Sequence, residues 1–254
     1  MTGAHGEAPP FYDVLRKRAP VLEALADGPL TQRALRDALG VSRSTVYKAL
    51  QDLEAAGLVA PCEAGYRLTG LGRLAWRRHD AYLSRLDRLA AAGRLLETVP
   101  PDHHLPLRLF EHGRVHVPGR HAPERPLDRL EERAKGAERL RCLSPSGMPR
   151  YFEKIHERVL DGQQTATLVL EPPATDRLES DYDDYETASR EPNMEIRAVD
   201  GEIPFALVLF DDDELGFFGY EEGVLVGAVF ADDASVLRWG RRVFERYRDR
   251  SEPT

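Results

Sequence analysis

The spacing of apolar residues predicts a helical first part of the chain. Residues 11–26 carry apolar side chains at helical spacing, although Pro20 must kink or divide the helix that they form. Thr31 is a good N-terminal cap for a second, short helix, and Gly40 ends that helix because glycine readily adopts the left-handed conformation. Between these two segments, "DGP" marks a turn.

The stretch "VSRSTVYKAL", at residues 41–50, begins a third helix. Ser42 caps it, and its apolar face consists of Val46, Leu50 and Leu53 at the spacing i, i+4, i+7. Downstream, "LVAPCEAGYRLT" contains two short apolar segments around a turn, which is typical of a β-hairpin. Three helices followed by a hairpin predict a winged helix-turn-helix.

A longer helix is predicted from about Thr69 to about Glu97. Apolar or aromatic side chains recur every seven residues along this helix, at Ala75, Tyr82, Leu89 and Leu96. This short, imperfect heptad fits a dimer interface and equally fits packing against the protein's own second domain. We therefore expect a winged helix at residues 11–70, a linking or dimerisation helix at 71–97 and a sensor or regulatory domain at 98–254.

Beyond residue 98 the pattern alternates between strands and helices. The predicted strands are 105–110, 115–117, 140–143, 165–170, 195–199, 205–210, 215–220 and 225–231, and the predicted helices are 127–136, 150–161, 234–250 and part of an acidic stretch at 176–189. The expected fold class is α/β multidomain: an N-terminal winged helix-turn-helix, a linking helix and a C-terminal α/β domain with a mixed sheet.

The third helix can contact DNA with the side that its apolar face leaves free. An α-helix fits the major groove, where each base pair presents its own donors and acceptors. Arg43 suits guanine, the neighbouring hydroxyls suit phosphate or base edges, and Arg67 in the hairpin suits the adjacent minor groove or its phosphates. The residues predicted to bind DNA are Gln32, Ser42, Arg43, Ser44, Thr45, Tyr47, Lys48 and Arg67.

Charge is distributed unevenly along the chain. Residues 1–97 contain 14 Lys or Arg and 11 Asp or Glu, whereas residues 98–254 contain 21 and 32. This asymmetry indicates a nucleic-acid module joined to a different one, even though the whole chain has a net charge of -8. Because the positive excess is small for a DNA-binding protein, a winged helix that binds proteins instead of DNA is the alternative.

Two stretches resemble known regulators. "LTQRALRDALGVSRSTVYKALQDLEAAGLV", followed by "GYRLTGLGRLA", resembles the winged helices of MarR-, ArsR- and TrmB-type transcription regulators. "HAPERP", "LSPSGMPRY", "ALVLFDD" and "WGRRVFERYR" occur in the order typical of the C-terminal domain of the archaeal methanogenesis (filament-growth) regulatory protein family. The resemblance implies a sequence-specific transcription regulator. Its expected partners are double-stranded operator DNA, a second copy of the chain and an unidentified small-molecule or protein effector.

One loop of the second domain is a candidate effector site. In "LSPSGMPRY" a strand ends and a helix begins, so hydroxyls, free backbone N–H groups and an arginine could hold an anion. The candidate residues are Ser144, Ser146, Gly147 and Arg150. An ordinary tight loop before a proline-initiated helix fits the same letters.

The remaining features exclude several classes of protein. The nucleotide-binding and hydrolase motifs are missing, so we expect no enzyme and no cofactor. Two cysteines give no disulfide framework, and the absence of a long apolar run or signal peptide indicates a cytoplasmic protein without a membrane partner. The clustered histidines are His103, His104, His112, His116 and His121. They lack a fixed ligand spacing, so we expect no metal, with a metal-sensing regulator as the alternative.

Overall fold

The computed structural model describes residues 10–254, which form two compact units. The first unit ends at Ser84 and the second begins at Arg85. Each unit has its own buried apolar core.

The first unit contains a cluster of helices and one hairpin. Its elements are α1 (Pro10–Lys17), α2 (Ala19–Ala24), α3 (Gln32–Leu39), α4 (Arg43–Ala55), β1 (Val59–Cys62), β2 (Gly65–Leu68) and most of α5 (Gly70–Ala91). Pro20 divides the first predicted helix, as expected, because proline is tolerated only in the first turn of α2. Leu22, Leu35, Leu50 and Leu53 are completely or almost completely buried in the core, so each of α2, α3 and α4 contributes its apolar side.

The predicted caps are confirmed. The Thr31 hydroxyl accepts a hydrogen bond from the backbone N–H of Ala34 at 3.2 Å, and the Ser42 hydroxyl accepts one from that of Thr45 at 3.1 Å. Gly40 ends α3 with φ of 63°, the left-handed conformation that glycine adopts without a steric penalty. These caps separate α3 from α4 by a turn of only a few residues.

The hairpin is an antiparallel pair that extends to a third short segment. Strands β1 and β2 pair from Val59 opposite Leu68 to Cys62 opposite Gly65. The backbone groups of Leu30 and Tyr66 exchange two hydrogen bonds of 3.0 and 2.9 Å. The loop before α3 is thereby joined to the edge of the hairpin.

The second unit is built on an eight-stranded mixed sheet. It begins with the last turns of α5, followed by α6 (Gly93–Glu97), α7 (Leu107–His112), β3 (Arg114–His116), α8 (Arg125–Gly136), β4 (Arg139–Ser144), α9 (Pro149–Leu160), β5 (Thr165–Leu170), α10 (Pro172–Asp181), α11 (Tyr185–Ser189), β6 (Met194–Val199), β7 (Ala206–Phe210), β8 (Glu214–Glu221), β9 (Val224–Ala231), α12 (Ala234–Arg248) and β10 (Ser251–Pro253). The strand order is β10-β6-β5-β4-β7-β8-β9-β3. Strands β4, β5 and β6 are parallel and the other pairs are antiparallel.

Helices cover both faces of this sheet, as the fully buried strand β7 requires. Leu207 and Leu209 point into one core, which includes side chains of α6, α7 and α12. Ala206, Val208 and Phe210 point into the other core, which includes side chains of α9, α10 and α11. The alternation follows from the two-residue period of a strand.

Two predicted elements differ in the structure, and one strand was not predicted. Residues 105–110 were predicted as a strand, but α7 occupies most of this range, since a short apolar run does not distinguish a strand from a buried helix. The helix predicted to reach Glu97 breaks at Ala92. This residue is fully buried in the core that includes side chains of α6, α7 and α12. Strand β10 was not predicted. None of the helices in residues 10–254 combines the length and apolar character needed to cross a membrane.

Candidate nucleic-acid interface and ligand cavity

Helix α4 presents two chemically different sides. Val46, Leu50 and Leu53 lie in the core of the first unit and are at most 1% exposed. On the other side, all the predicted contact residues of this helix and its cap are exposed: Ser42, Arg43, Ser44, Thr45, Tyr47 and Lys48. The 3.6-residue period of the helix produces this division, because no apolar side chain interrupts the polar face in its first two turns.

Hydrogen bonds within α4 order part of the exposed face. The Ser42 hydroxyl lies 2.9 Å from that of Ser44 and 2.8 Å from that of Thr45. The ring of Tyr47 is 52% exposed, and its hydroxyl accepts a hydrogen bond of 2.8 Å from Nε2 of Gln51. A group of hydroxyls at a helix N-terminus, where backbone N–H groups are also free, is well suited to phosphate oxygens.

The remaining predicted DNA contacts lie on other elements of the same unit. Gln32 is the first residue of α3 and is partly exposed. Arg67 is an exposed residue of β2, next to the buried Leu68. The first unit therefore contains all eight side chains, on α3, on α4 with its cap, and on the hairpin.

An ion pair that sequence reasoning missed fixes α4 from behind. Nη2 and Nε of Arg18 both donate to one carboxylate oxygen of Asp52, at 2.7 and 3.1 Å. The Arg18 side chain is only 13% exposed, and its hydrogen bond lowers the pKa of Asp52. The partners are 34 residues apart, so no local spacing in the sequence could have indicated this pair.

In the second unit, the predicted effector loop borders a cavity. Ser144, Ser146 and Gly147 line a cavity of about 100 Å³ between the sheet and the helices α8 and α9. A Cβ atom at Gly147 would lie 2.3 Å from the carbonyl oxygen of Ala174, so the loop approaches α10 as only glycine can. Arg150 does not line this cavity: its side chain is 74% exposed and lies 3.9 Å from Glu131.

The clustered histidines are not gathered into one site. His103 packs against the ring of Phe205, and His116 packs against that of Phe230. Burial lowers the pKa of His116, and nearby arginines add to that effect. Among residues 10–254, no three His, Cys, Asp or Glu side chains are placed to hold a metal ion together.

Two family matches cover most of the chain. Residues 11–91 match the family described as HVO_A0261 N-terminal domain. Residues 123–250, half of the chain, match the family described as methanogenesis regulatory protein FilR1, middle domain. The chain belongs to the FilR1 family of archaeal regulators. Transcription regulation through DNA binding is the function of this class.

Solved structures similar to this FilR1-family chain share little sequence with it. TrmBL2, an archaeal chromatin protein whose structure shows a novel mode of DNA binding, has 16% identity and a TM-score of 0.46 over 95% of this chain and 98% of its own. NucT from Helicobacter pylori has 10% identity and a TM-score of 0.42 over 56% of this chain and 98% of its own. Nuc from Salmonella typhimurium, a phospholipase D family member, has 9% identity and a TM-score of 0.44 over 56% and 97%. No curated protein sequence matches the chain significantly.

Proposed function

We propose that this regulator recognises a specific operator sequence through the exposed face of α4, with the hairpin β1–β2 as a second contact. The observation that supports this most strongly is the uninterrupted polar and cationic face formed by the first two turns of α4. The core anchors the opposite side of the helix, so the face is held rigidly. Pre-ordered side chains lose less conformational entropy on binding than mobile ones do.

Each predicted contact has a distinct role in this proposal. The guanidinium group of Arg43 donates to the two acceptor atoms that guanine presents in the major groove. The methyl group of Thr45 can contact thymine. Tyr47 and Lys48, further along the helix, bind phosphates and set the position of the helix on the duplex. Arg67 binds phosphates beside the adjacent minor groove. Gln32, Ser42 and Ser44 complete the contact surface at the helix N-termini.

The small positive excess of the first unit is compatible with this role if two copies bind together. One winged helix reads few base pairs, and two copies on a palindromic site double both the base contacts and the phosphate contacts. We therefore propose a homodimer. The exposed apolar residues Phe11, Leu71, Leu74 and Tyr82 around α1 and α5 support an isologous contact through this surface.

We also propose that the second unit senses an effector in the cavity bordered by Ser144, Ser146 and Gly147. An effector that binds one conformation better than another shifts the population toward it. Such a shift could change the spacing between the two winged helices of a dimer and hence the affinity for the operator. Arg150 would contribute only after it had separated from Glu131.

Fluorescence anisotropy tests the DNA-binding proposal. The probe is a duplex selected from a random library by the wild-type protein. Arg43→Ala is expected to weaken binding about tenfold or more and to relax the preference at one base pair. Lys48→Ala is expected to weaken binding to all sequences alike and to reduce the slope of log affinity against log salt by about one.

The matched control removes an arginine from the second unit. Arg190 on the segment after α11 is exposed and pairs only with Glu186 nearby, so Arg190→Ala should leave DNA affinity unchanged. If the library yields no bound duplex, or if Arg43→Ala and Lys48→Ala bind as tightly as the control does, the operator proposal is wrong. The first unit would then be a protein-interaction module.

A further inference from the structure

The cavity of the second unit is unusual in its size and in its walls. A single water molecule needs roughly 10–15 Å³, so a cavity of about 100 Å³ can hold a molecule of roughly seven to ten non-hydrogen atoms. Its walls are mainly apolar, with Cys142, Leu168, Val208 and Phe218 on the sheet and Ile155 on α9. A concave, mainly apolar cavity with a few polar groups is typical of a small-molecule site.

Gln164 provides an unsatisfied acceptor in the wall of this cavity. Its side chain is 2% exposed, and its Nε2 donates to the carbonyl oxygens of Ala134 and Ala137 at 3.0 and 2.7 Å. Because both partners are acceptors, the amide cannot be reversed, and Oε1 must be the remaining atom. Oε1 is buried without a hydrogen-bond partner among the protein groups, which is unfavourable unless a ligand or a water molecule supplies a donor.

Further polar groups lie at the two ends of the cavity. Nε of Arg158 is buried and unpaired, although its Nη1 donates to Gln163 at 3.1 Å. At the other end, the Ser146 hydroxyl is buried next to that of Tyr220. Thr165 pairs with Arg139, so Gln164 lies near the amino end of β4, whereas Ser146 follows its carboxyl end. The cavity thus has polar groups at both ends and an apolar middle.

The interior of the cavity disfavours an ion. Burial raises the pKa of the Cys142 thiol and that of the Tyr220 hydroxyl to about 12 each, because an apolar environment disfavours the charged form of each group. Of the four charged side chains that line the cavity, Lys154 and Lys135 pair with Glu131 at 2.5 and 2.9 Å, and Arg158 is the fourth, so the lining has a net charge of +2. A carboxylate ligand inside the cavity could pair with Arg158. Because an ionised carboxylate only accepts hydrogen bonds, it would leave Gln164 Oε1 without a donor.

We propose that this cavity binds a small, uncharged and mostly apolar molecule that carries one hydroxyl or amide group, whose N–H or O–H donates to Gln164 Oε1. The apolar part fills the space between Ile155 and Phe218. This inference rests on the effector-sensing role proposed above for the second unit, and it specifies the chemistry of the effector. It also places the groups that bind the effector in the interior beneath α9, whereas the sequence predicted them at the start of that helix.

Isothermal titration calorimetry on the full chain tests the ligand class with three probes of similar size. We expect 4-methylphenol to bind at least tenfold more tightly than toluene, which lacks the donor, and than 4-methylbenzoate, which is charged. Gln164→Met should remove most of the preference of 4-methylphenol over toluene. A melting curve of each variant checks that it is folded.

A cavity-filling variant tests the location independently of Gln164. Ala134 lines the cavity from α8, and Ala134→Leu fills the space with a residue that favours helix. We expect this variant to lose binding of 4-methylphenol. Ala55→Leu, at an exposed position of α4, is the matched control and should bind like the wild type.

The outcomes separate this inference from the proposed function. Tighter binding of 4-methylbenzoate, absence of binding by all three probes, or unchanged binding by Ala134→Leu would overturn the ligand assignment, whatever the DNA affinity. If the wild type binds 4-methylphenol but not the selected DNA, the operator proposal fails and the cavity assignment stands. If both bind but saturating 4-methylphenol leaves DNA affinity unchanged, the sensing role is wrong and the ligand class stands.

Discussion

At the scale of single residues, the junction between the hairpin and α5 depends on Gly72. A Cβ atom at this position would lie 1.9 Å from the carbonyl oxygen of Leu58. Thr69 holds the same junction, because its hydroxyl donates to the carbonyl of Gly57 at 2.7 Å and accepts from the N–H of Gly72 at 2.9 Å. The close approach positions the hairpin, and with it Arg67.

We expect Gly72→Ala to destabilise the first unit by about 2 kcal/mol or more, because the methyl group can be accommodated only if backbone atoms move. Gly70→Ala is the matched control at the start of the same helix, where a Cβ atom meets nothing within 4 Å. That change should be neutral or stabilise by up to about 1 kcal/mol, since alanine favours helix. Urea unfolding followed by the fluorescence of Trp76, in a Trp239→Phe background, measures both.

At the scale of elements, the Arg18–Asp52 pair holds α4 against the segment between α1 and α2. Removal of either partner would leave a half-buried ionic group without its counterpart, which costs more than the pair contributes. The orientation of α4 relative to the rest of the first unit therefore depends on a contact behind the face that we propose binds DNA.

The same pair predicts a dependence of stability on pH. The pKa of Asp52 in the folded chain lies below its ordinary value of 3.8. The unfolded chain therefore binds this proton more readily. The stability that the pair contributes is fully present at pH values well above 3.8, and it is lost as the pH falls through the pKa of Asp52 in the folded chain. Asp52→Asn should be less stable at neutral pH and should lose less stability on acidification than the wild type does.

Thermal unfolding between about pH 6 and pH 2, followed by Trp76 fluorescence in the Trp239→Phe background, checks this prediction. Asp37→Asn is the control, because Asp37 is exposed and pairs only with arginines on its own helix. Equal acid sensitivity of the Asp52→Asn and Asp37→Asn variants would show that the pair does not fix α4.

At the scale of the whole molecule, an exposed apolar surface lies around α1 and α5. Leu74 is 65% exposed and Tyr82 is also exposed, at a spacing of about two helical turns. Large exposed apolar side chains at helical spacing are typical of an interface between subunits. By contrast, Leu89 and Leu96 of the predicted heptad pack partly against the core of the second unit.

We expect the double variant Leu74→Glu and Tyr82→Glu to be monomeric in analytical ultracentrifugation at a concentration where the wild type is a dimer. It should also bind the selected DNA at least tenfold more weakly, because only one winged helix then contributes contacts. Leu107→Glu, at an exposed position of α7 in the second unit, should change neither property. A monomeric wild type, or a double variant that remains dimeric, would contradict this interface.

Local sequence patterns predicted much of the fold. The caps at Thr31 and Ser42 and the apolar spine of α4 are set by neighbours within a few residues, and the structure confirms them. Most strands of the second unit also lie where alternating or continuous apolar runs predict them. The segment at α7 was predicted wrongly, because its short apolar run has no decisive period and tertiary packing selects the helix.

The sequence by itself determined which side chains lie on the exposed face of α4, since the position of each side chain on the helix follows from the helical period. Only the tertiary structure showed the contacts on which the proposals about α4 and the effector depend. Arg18 meets Asp52 across 34 positions, and Gln164 is brought to the carbonyls of Ala134 and Ala137 with one oxygen left unpaired. Such features result from packing between distant segments, for which local spacing carries no signal.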